Sequence, residues 1–190
     1  MTLSSVELLN EESVPKDAAA IIINAPQKDF NKNDAQKVID YLQKGGKAII
    51  VGMHSETEMP NFASILDTYG VSLTTGPIAD NDAQHYYNMG GPLYLLPNVN
   101  SSSYTGSLSG GYVYLPISLG INYPQNSTTD DTESTEESKT TYTSLLDTSD
   151  DAVAKNNPNS MQDYGYEDGD DKGPFSVGLA VEDKVCLLYT

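Results

Sequence analysis

The chain contains no arginine. All ten of its basic residues are lysines, set against 27 acidic residues, and the formal net charge is −17. The rigid guanidinium fork of arginine carries much of the bidentate recognition of phosphate, and nucleic-acid binding depends on neutralising phosphates with positive charge. An anionic membrane surface would also repel this chain. We therefore exclude nucleic acid as a partner and expect the acidity to serve solubility.

Cysteine and long apolar runs are also scarce. Cys186 is the single cysteine, so it forms no intrachain disulfide and no thiolate cluster for zinc, and we predict a small buried side chain on a strand. No apolar run approaches the ~20 residues of a membrane helix, and the N-terminus lacks the regions of a signal peptide. Because the chain ends in the apolar run 187–189, we expect a soluble portion excised from an anchored protein.

Motifs for nucleotide or cofactor chemistry are missing as well. The glycine pairs at 45–46, 90–91 and 110–111 do not form a Gly-x-Gly-x-x-Gly pattern, and there is no Walker motif. No Gly-x-Ser-x-Gly or Gly-x-Cys-x-Gly elbow follows a strand. We predict no catalytic residues, no cofactor and no metal. A calcium site using Asp168, Asp170 and Asp171 is a minor alternative, since the EF-hand spacing is absent.

The stretch 17–54 predicts a βαβ unit. Two continuous apolar runs, AAAIII at 18–23 and AIIV at 48–51, flank an amphipathic segment, and runs without alternation are typical of strands covered on both faces in a parallel sheet. Asn31 is the predicted N-cap, with Asp34 three residues later. We expect a helix over 32–44 that ends at Gly45-Gly46.

The remaining chain predicts one α/β domain over 1–190. We expect a second helix with Pro60 in its first turn, then strands at 71–75, 112–116 and 140–146, and a terminal antiparallel hairpin with arms at 175–181 and 185–189. The stretch 93–96 is a short strand or buried loop. The stretch 76–85 is predicted to be irregular, 125–139 an acidic low-complexity loop, and 147–173 a long polar excursion of poorly packed surface.

The candidate site lies where the first two strands end. Ligands bind beyond the carboxyl ends of strands in open α/β sheets, so we predict a ligand or partner surface built from five residues of two neighbouring loops: Asn24, Gln27, His54, Ser55 and Glu56. His54 lacks the adjacent nucleophile that covalent catalysis needs. It is therefore interpreted as a loop residue rather than as a catalytic base.

Five segments taken in order resemble a known family. They are PKDAAAIIINAP at 15–26, YLQKGGKAIIV at 41–51, PNFASILDTYGV at 60–71, LLDTS at 145–149 and KGPFSVGLAV at 172–181. Together they are similar to the GldG-like, gliding-motility-type auxiliary components of bacterial ABC-type transport systems.

This resemblance implies a three-layer, mostly parallel sheet, flavodoxin-like or class I glutamine amidotransferase-like, without the amidotransferase nucleophile. It also implies an extracytoplasmic location, attachment to the membrane through helices outside this chain, and partners among permease and ATPase subunits. The functional expectation is a non-catalytic accessory domain that docks a protein or ligand.

Two alternatives stay open from the residues themselves. One is a degenerate amidotransferase-like hydrolase in which His54 works with Glu56 or Glu58. The other is a sugar- or peptide-binding module, because thirteen tyrosines offer amphipathic rings suited to polar ligands. The second alternative predicts that five of these rings cluster around a groove: Tyr86, Tyr87, Tyr94, Tyr112 and Tyr114.

Overall fold

The structure is a computed structural model of the chain that describes residues 2–108, 111–125, 140–157 and 163–183. Its first part is the expected βαβ unit: β1 (Ile21–Asn24), α1 (Lys32–Gln43) and β2 (Ala48–Val51). The two strands pair in parallel, from Ile21 opposite Ala48 to Asn24 opposite Val51. Residues 21–51 therefore confirm this prediction.

The ends of α1 follow the local signals in the sequence. The side chain of Asn31 accepts a hydrogen bond from the backbone N–H of Asp34 at 2.9 Å, which satisfies one of the free donors of the first turn. Beyond the helix, Gly45 has a φ of +88°, a conformation that residues with a Cβ adopt poorly.

The second helix, α2 (Pro60–Asp67), starts with its proline at the first position. Its N-terminus is capped by a different segment. The carboxylate of Asp29 accepts from the backbone N–H groups of Asn61 and Phe62, at 3.1 and 2.9 Å. Burial raises the pKa of Asp29, but these two bonds and those from the Asn61 side chain and the Phe30 backbone outweigh it and lower the pKa overall.

The rest of the described chain is strand and loop, apart from a short 3₁₀ helix at Gly106–Leu108. Nine strands follow: β3 (Ser72–Asp80), β4 (Tyr94–Leu95), β5 (Asn98–Val99), β6 (Leu115–Pro116), β7 (Leu119–Asn122), β8 (Thr141–Asp147), β9 (Ala152–Ala154), β10 (Asp171–Lys172) and β11 (Ser176–Glu182). Seven of them form one sheet in the order β10-β9-β3-β7-β11-β8-β5, and every pair in it is antiparallel. β4 and β6 form a separate antiparallel pair.

The prediction of a three-layer, mostly parallel, flavodoxin-like or amidotransferase-like α/β fold is wrong. Parallel strands need a crossover, usually a helix, and no α-helix follows α2 in the described ranges. Only β1 and β2 are paired in parallel. The fold is therefore α+β. It is not the flavodoxin-like domain that the GldG-like resemblance implies, so the structure does not support the description of the chain as an ABC auxiliary.

The parallel pair is also covered on one face only. Ile22, Ile49 and Val51 are 50%, 60% and 43% exposed, whereas Ile23 packs with α1 and α2. The continuous apolar runs suggested strands buried on both sides. The second layer of helices that such burial requires is absent from the described part of the chain.

Three further elements differ from expectation. β3 continues through Gly76 and Pro77 to Asp80. Proline has no backbone N–H to donate, but the Pro77 carbonyl still accepts a hydrogen bond from the Lys155 N–H at 3.0 Å. Of the predicted strand 112–116, only Leu115–Pro116 is in a strand. The predicted polar excursion 147–173 contains β9, whose three residues are all buried.

Two of the strands predicted for the C-terminal part of the chain are present in the described residues. β8 and β11 lie close to the predicted strands 140–146 and 175–181, and they pair with each other. The second hairpin arm 185–189, Cys186 and almost all of the tract 125–139 lie outside the described residues. None of the described helices is long and apolar enough to cross a membrane.

Replacing Asp29 by alanine tests the capping of α2 by another segment. We expect Asp29→Ala to lower the free energy of unfolding by about 1–2 kcal/mol at pH 7, because two N-terminal donors of α2 lose their acceptor. Since the carboxyl pKa is lowered by folding, its contribution is present above the ordinary value of about 3.9 and disappears as pH falls through the folded-state pKa.

Urea unfolding at pH 7 and pH 3 measures both effects. Asp17→Ala is the matched control, since Asp17 is exposed and precedes β1. A loss of stability equal to that of the control would contradict the capping role.

Candidate functional site

A groove runs beside α2, and we call it the α2 groove. It is enclosed by the loop 53–59 that follows β2, by one side of α2 and by residues 71–77 at the start of β3, with Leu119 and 155–156 at one end. Its volume is about 1010 Å³, at the upper end of the range of ligand pockets. It is the cavity at which the end of β2 meets β3.

Most of the groove wall is apolar. The main apolar side chains that line it come from the loop, the helix and the sheet: Met53, Met59, Phe62, Leu66, Val71, Leu73 and Leu119. Phe62 and Val71 are largely buried, at 6% and 8% exposure. An apolar wall of this size favours binding of an apolar segment.

Three of the five predicted site residues lie together in this groove: His54, Ser55 and Glu56. Asn24 and Gln27 are not among the residues that line it. Asn24 is exposed on the uncovered face of β1, and the Gln27 side-chain amide donates to the Ala25 carbonyl at 3.1 Å. The two strand-end loops therefore do not share one crevice as expected.

His54 is held by the backbone. Its Nδ1 lies 3.2 Å from the carbonyl oxygen of Thr75, and because a carbonyl only accepts, Nδ1 carries the proton. The Ser55 hydroxyl donates to the Thr57 carbonyl at 3.0 Å and accepts from the Thr57 N–H at 3.1 Å. Among the described hydrogen bonds, neither Glu56 nor Glu58 orients His54, so the arrangement expected of a hydrolase is not formed.

The charges that face solvent around the groove are negative. Glu56, Glu58 and Asp67 are exposed lining residues. Lys155, the one lysine among the described lining residues, has a side chain with 0% exposure. The groove therefore presents carboxylates to an incoming ligand.

The ammonium group of Lys155 is fully used within the protein. It donates to the Asp170 carboxylate at 2.6 Å, to the Gly165 carbonyl at 2.7 Å and to the Glu167 carboxylate at 3.2 Å. Three acceptors match its three protons. Burial lowers the pKa of Lys155, but bonds to Asp170 and Glu167 outweigh it, so the pKa is raised. A lysine in this state is not a base or a nucleophile at neutral pH.

Asp170 is equally saturated. Besides Lys155, it accepts from the backbone N–H groups of Asn156 and Glu167, both at 3.0 Å. Burial raises its pKa, and the Lys155 bond together with the two backbone bonds lowers it overall. Since Asp170 points inward, the calcium alternative with Asp168 and Asp171 loses its central ligand. The described ranges contain no group of three or more His, Cys, Asp or Glu able to hold a metal.

Sequence reasoning missed this ion pair. A lysine directly after the small apolar run 152–154, followed by acids at 167 and 170, is the signal that could have indicated it. The composition of 147–173 hid the signal, because a solvated loop and a buried ion pair use the same residue types.

Comparisons with known proteins give little further information. No family model matches the chain, and no curated protein matches it. Among solved structures, the chain is similar to one described as "mmIFT52 N-terminal domain", at 12% identity and a TM-score of 0.47, over 70% of this chain and 54% of that chain. The chain thus spans about half the length of that structure. A likeness at this level carries no functional argument.

Replacing Asp170 by asparagine tests the buried ion pair. We expect Asp170→Asn to lower the free energy of unfolding at pH 7 by about 3–5 kcal/mol, because the buried ammonium of Lys155 loses its nearer, buried countercharge and keeps only the more exposed Glu167. The lowered pKa of Asp170 means that its contribution exists above about pH 3.9 and is lost as pH falls through the folded-state value. The raised pKa of Lys155 keeps its contribution below about pH 10.4 and removes it as pH rises through the folded-state value.

Chemical denaturation between pH 3 and pH 8 measures the difference between wild type and variant. Asp168→Asn removes the same charge from an exposed position and is expected to change stability by less than about 0.5 kcal/mol. Equal effects of the two substitutions would show that Asp170 is not held as described.

Proposed function

We propose that this protein is a non-catalytic docking domain that binds a partner segment in the α2 groove. The observation that carries the proposal is the groove itself, with its apolar wall, exposed carboxylates and no exposed lysine among the described lining residues. Several of its polar side chains, among them those of His54, Ser55 and Ser64, are already hydrogen-bonded to the protein's own backbone. Binding an apolar segment is the chemistry left to such a surface.

The charge distribution specifies the occupant. Glu56, Glu58 and Asp67 border the apolar wall, and the whole chain carries a net charge of −17. Electrostatic complementarity excludes acidic partners and speeds association with basic ones. The occupant is therefore a protein segment in which apolar side chains are flanked by lysine or arginine.

The cellular location and the identity of the partner protein are not determined by the groove. An extracytoplasmic role beside permease and ATPase subunits remains a prediction from the GldG-like segments. Docking in the α2 groove does not depend on that role, because the apolar wall and the exposed carboxylates are enough to select the partner segment.

A selection experiment tests the docking groove. Peptides of twelve residues, displayed as a random library, are selected against the full chain, and their affinities are measured for wild type and for Ala63→Trp. Ala63 is exposed on α2 and lines the groove, so an indole there occupies space that a ligand needs. We expect selected peptides to combine apolar and basic residues and to bind Ala63→Trp at least about tenfold more weakly, as the loss of one well-packed side-chain contact implies.

Gln43→Trp is the matched control, since Gln43 is exposed at the end of α1 and lies outside the groove. It is expected to leave affinity unchanged. Peptides that bind both tryptophan variants equally, or a selection that enriches no peptide, would rule the groove out as the docking site.

A further inference from the structure

Three tyrosine rings that contact one another, two of them exposed, form a second surface, which we call the tyrosine platform: Tyr87, Tyr94 and Tyr114. The rings of Tyr94 and Tyr114 are nearly parallel, with centroids 6.1 Å apart and an interplanar angle of 19°. Tyr87 stands at 85° to Tyr114, at 6.0 Å. Tyr94 and Tyr114 are therefore stacked, and Tyr87 and Tyr114 meet edge to face. None of its residues lines the α2 groove.

The rings are positioned by tight local structure. The N–H of Tyr87 donates to the Tyr94 carbonyl at 2.8 Å, and the N–H groups of Gly90 and Gly91 both donate to the Tyr87 carbonyl. A Cβ on Gly90 would lie 2.5 Å from the Tyr94 ring, so a glycine is needed for that ring to lie against the turn. The platform is therefore preorganised, which reduces the entropy lost on binding.

Two of the three rings remain accessible despite this packing. Tyr87 is 45% exposed and Tyr114 is 50% exposed. Exposed aromatic faces attract cations through the negative charge of the ring face. The protein uses the same contact internally, where the Lys172 ammonium lies 4.3 Å from the centroid of the Tyr166 ring.

We propose that the tyrosine platform binds an arginine side chain of a partner protein. A guanidinium is planar, stacks on aromatic faces and is less strongly hydrated than an ammonium, so it suits the half-exposed rings of Tyr87 and Tyr114. The net charge of −17 attracts a cationic ligand. Because this chain has no arginine, neither the chain itself nor a second copy can supply the group.

Matched tripeptides test the assignment. The acetylated, amidated peptides Gly-Arg-Gly and Gly-citrulline-Gly differ in charge while keeping the planar group, and each is titrated into the full chain at constant ionic strength. Tyrosine ring resonances report binding by NMR. We expect saturable shifts at the three platform rings with the arginine peptide, and at least about threefold weaker binding of the citrulline peptide, in line with cation–π contacts at exposed sites.

Variants separate the platform from general attraction to acids. Tyr114→Leu is expected to weaken the arginine peptide at least about threefold and Tyr114→Phe less than twofold, because phenylalanine keeps a ring face. Tyr112→Leu is the control, since Tyr112 is 89% exposed and makes none of the platform's ring contacts. Gly90→Ala is expected to weaken binding by displacing Tyr94.

Equal binding of the two peptides would overturn the proposal, as would binding unaffected by Tyr114→Leu, or no saturable shift at all. Methyl β-glucoside is titrated in parallel, and tighter binding of this neutral sugar than of the arginine peptide would assign the platform to a glycan instead. The α2 groove variants Ala63→Trp and Gln43→Trp are expected to leave these titrations unchanged, so failure here is distinct from failure of the docking groove.

Discussion

The ammonium group of Lys155 is buried, and the surrounding chain is arranged to supply its three acceptors. Leaving such a charge without partners costs several kcal/mol, so the segment 165–170 must fold back over the end of β9. Asp170 in turn binds the backbone N–H groups of Asn156 and Glu167. One ion pair therefore fixes a polar stretch whose composition alone favours a loose loop.

β3 connects the region around Lys155 to the rest of the fold, because it contributes side chains to both hydrophobic cores. Its first half contributes Leu73 to the core beneath α1 and α2, and its second half contributes Ile78 to a second core with Leu95 and Phe175. At Gly76 the two parts meet closely, since an added Cβ would lie 1.7 Å from the Lys155 carbonyl oxygen. The α2 groove extends to this junction, since Gly76, Pro77 and Lys155 are among its lining residues.

The two proposed surfaces use the same electrostatic property in different ways. In the α2 groove, carboxylates surround an apolar wall and select basic segments. On the tyrosine platform, ring faces supply the local attraction, and the overall negative charge increases the local concentration of cations. A basic, arginine-bearing partner fits both surfaces, whereas an acidic partner fits neither.

Local patterns predicted local structure well. The strand runs, the Asn31 cap, the amphipathic stripe of α1 and the glycine exit depend on residues near each other in sequence, and the structure contains each of them. The same holds for Pro60 at the start of α2. His54, Ser55 and Glu56 were placed in one site because a short loop after a strand keeps them together.

Long-range pairing was beyond such patterns. Whether strands run parallel or antiparallel is decided by the connections between them, and the short β9, with three residues, carries too little signal to be recognised. The cap of α2 comes from Asp29, some thirty residues away in the chain, and the partner of Lys155 from a stretch that reads as solvated surface. By itself the sequence determined the composition, the charge and the βαβ unit, because these follow from neighbouring residues. The tertiary structure alone decided the antiparallel sheet, the groove and the tyrosine platform, because each of these brings together residues that no local periodicity relates.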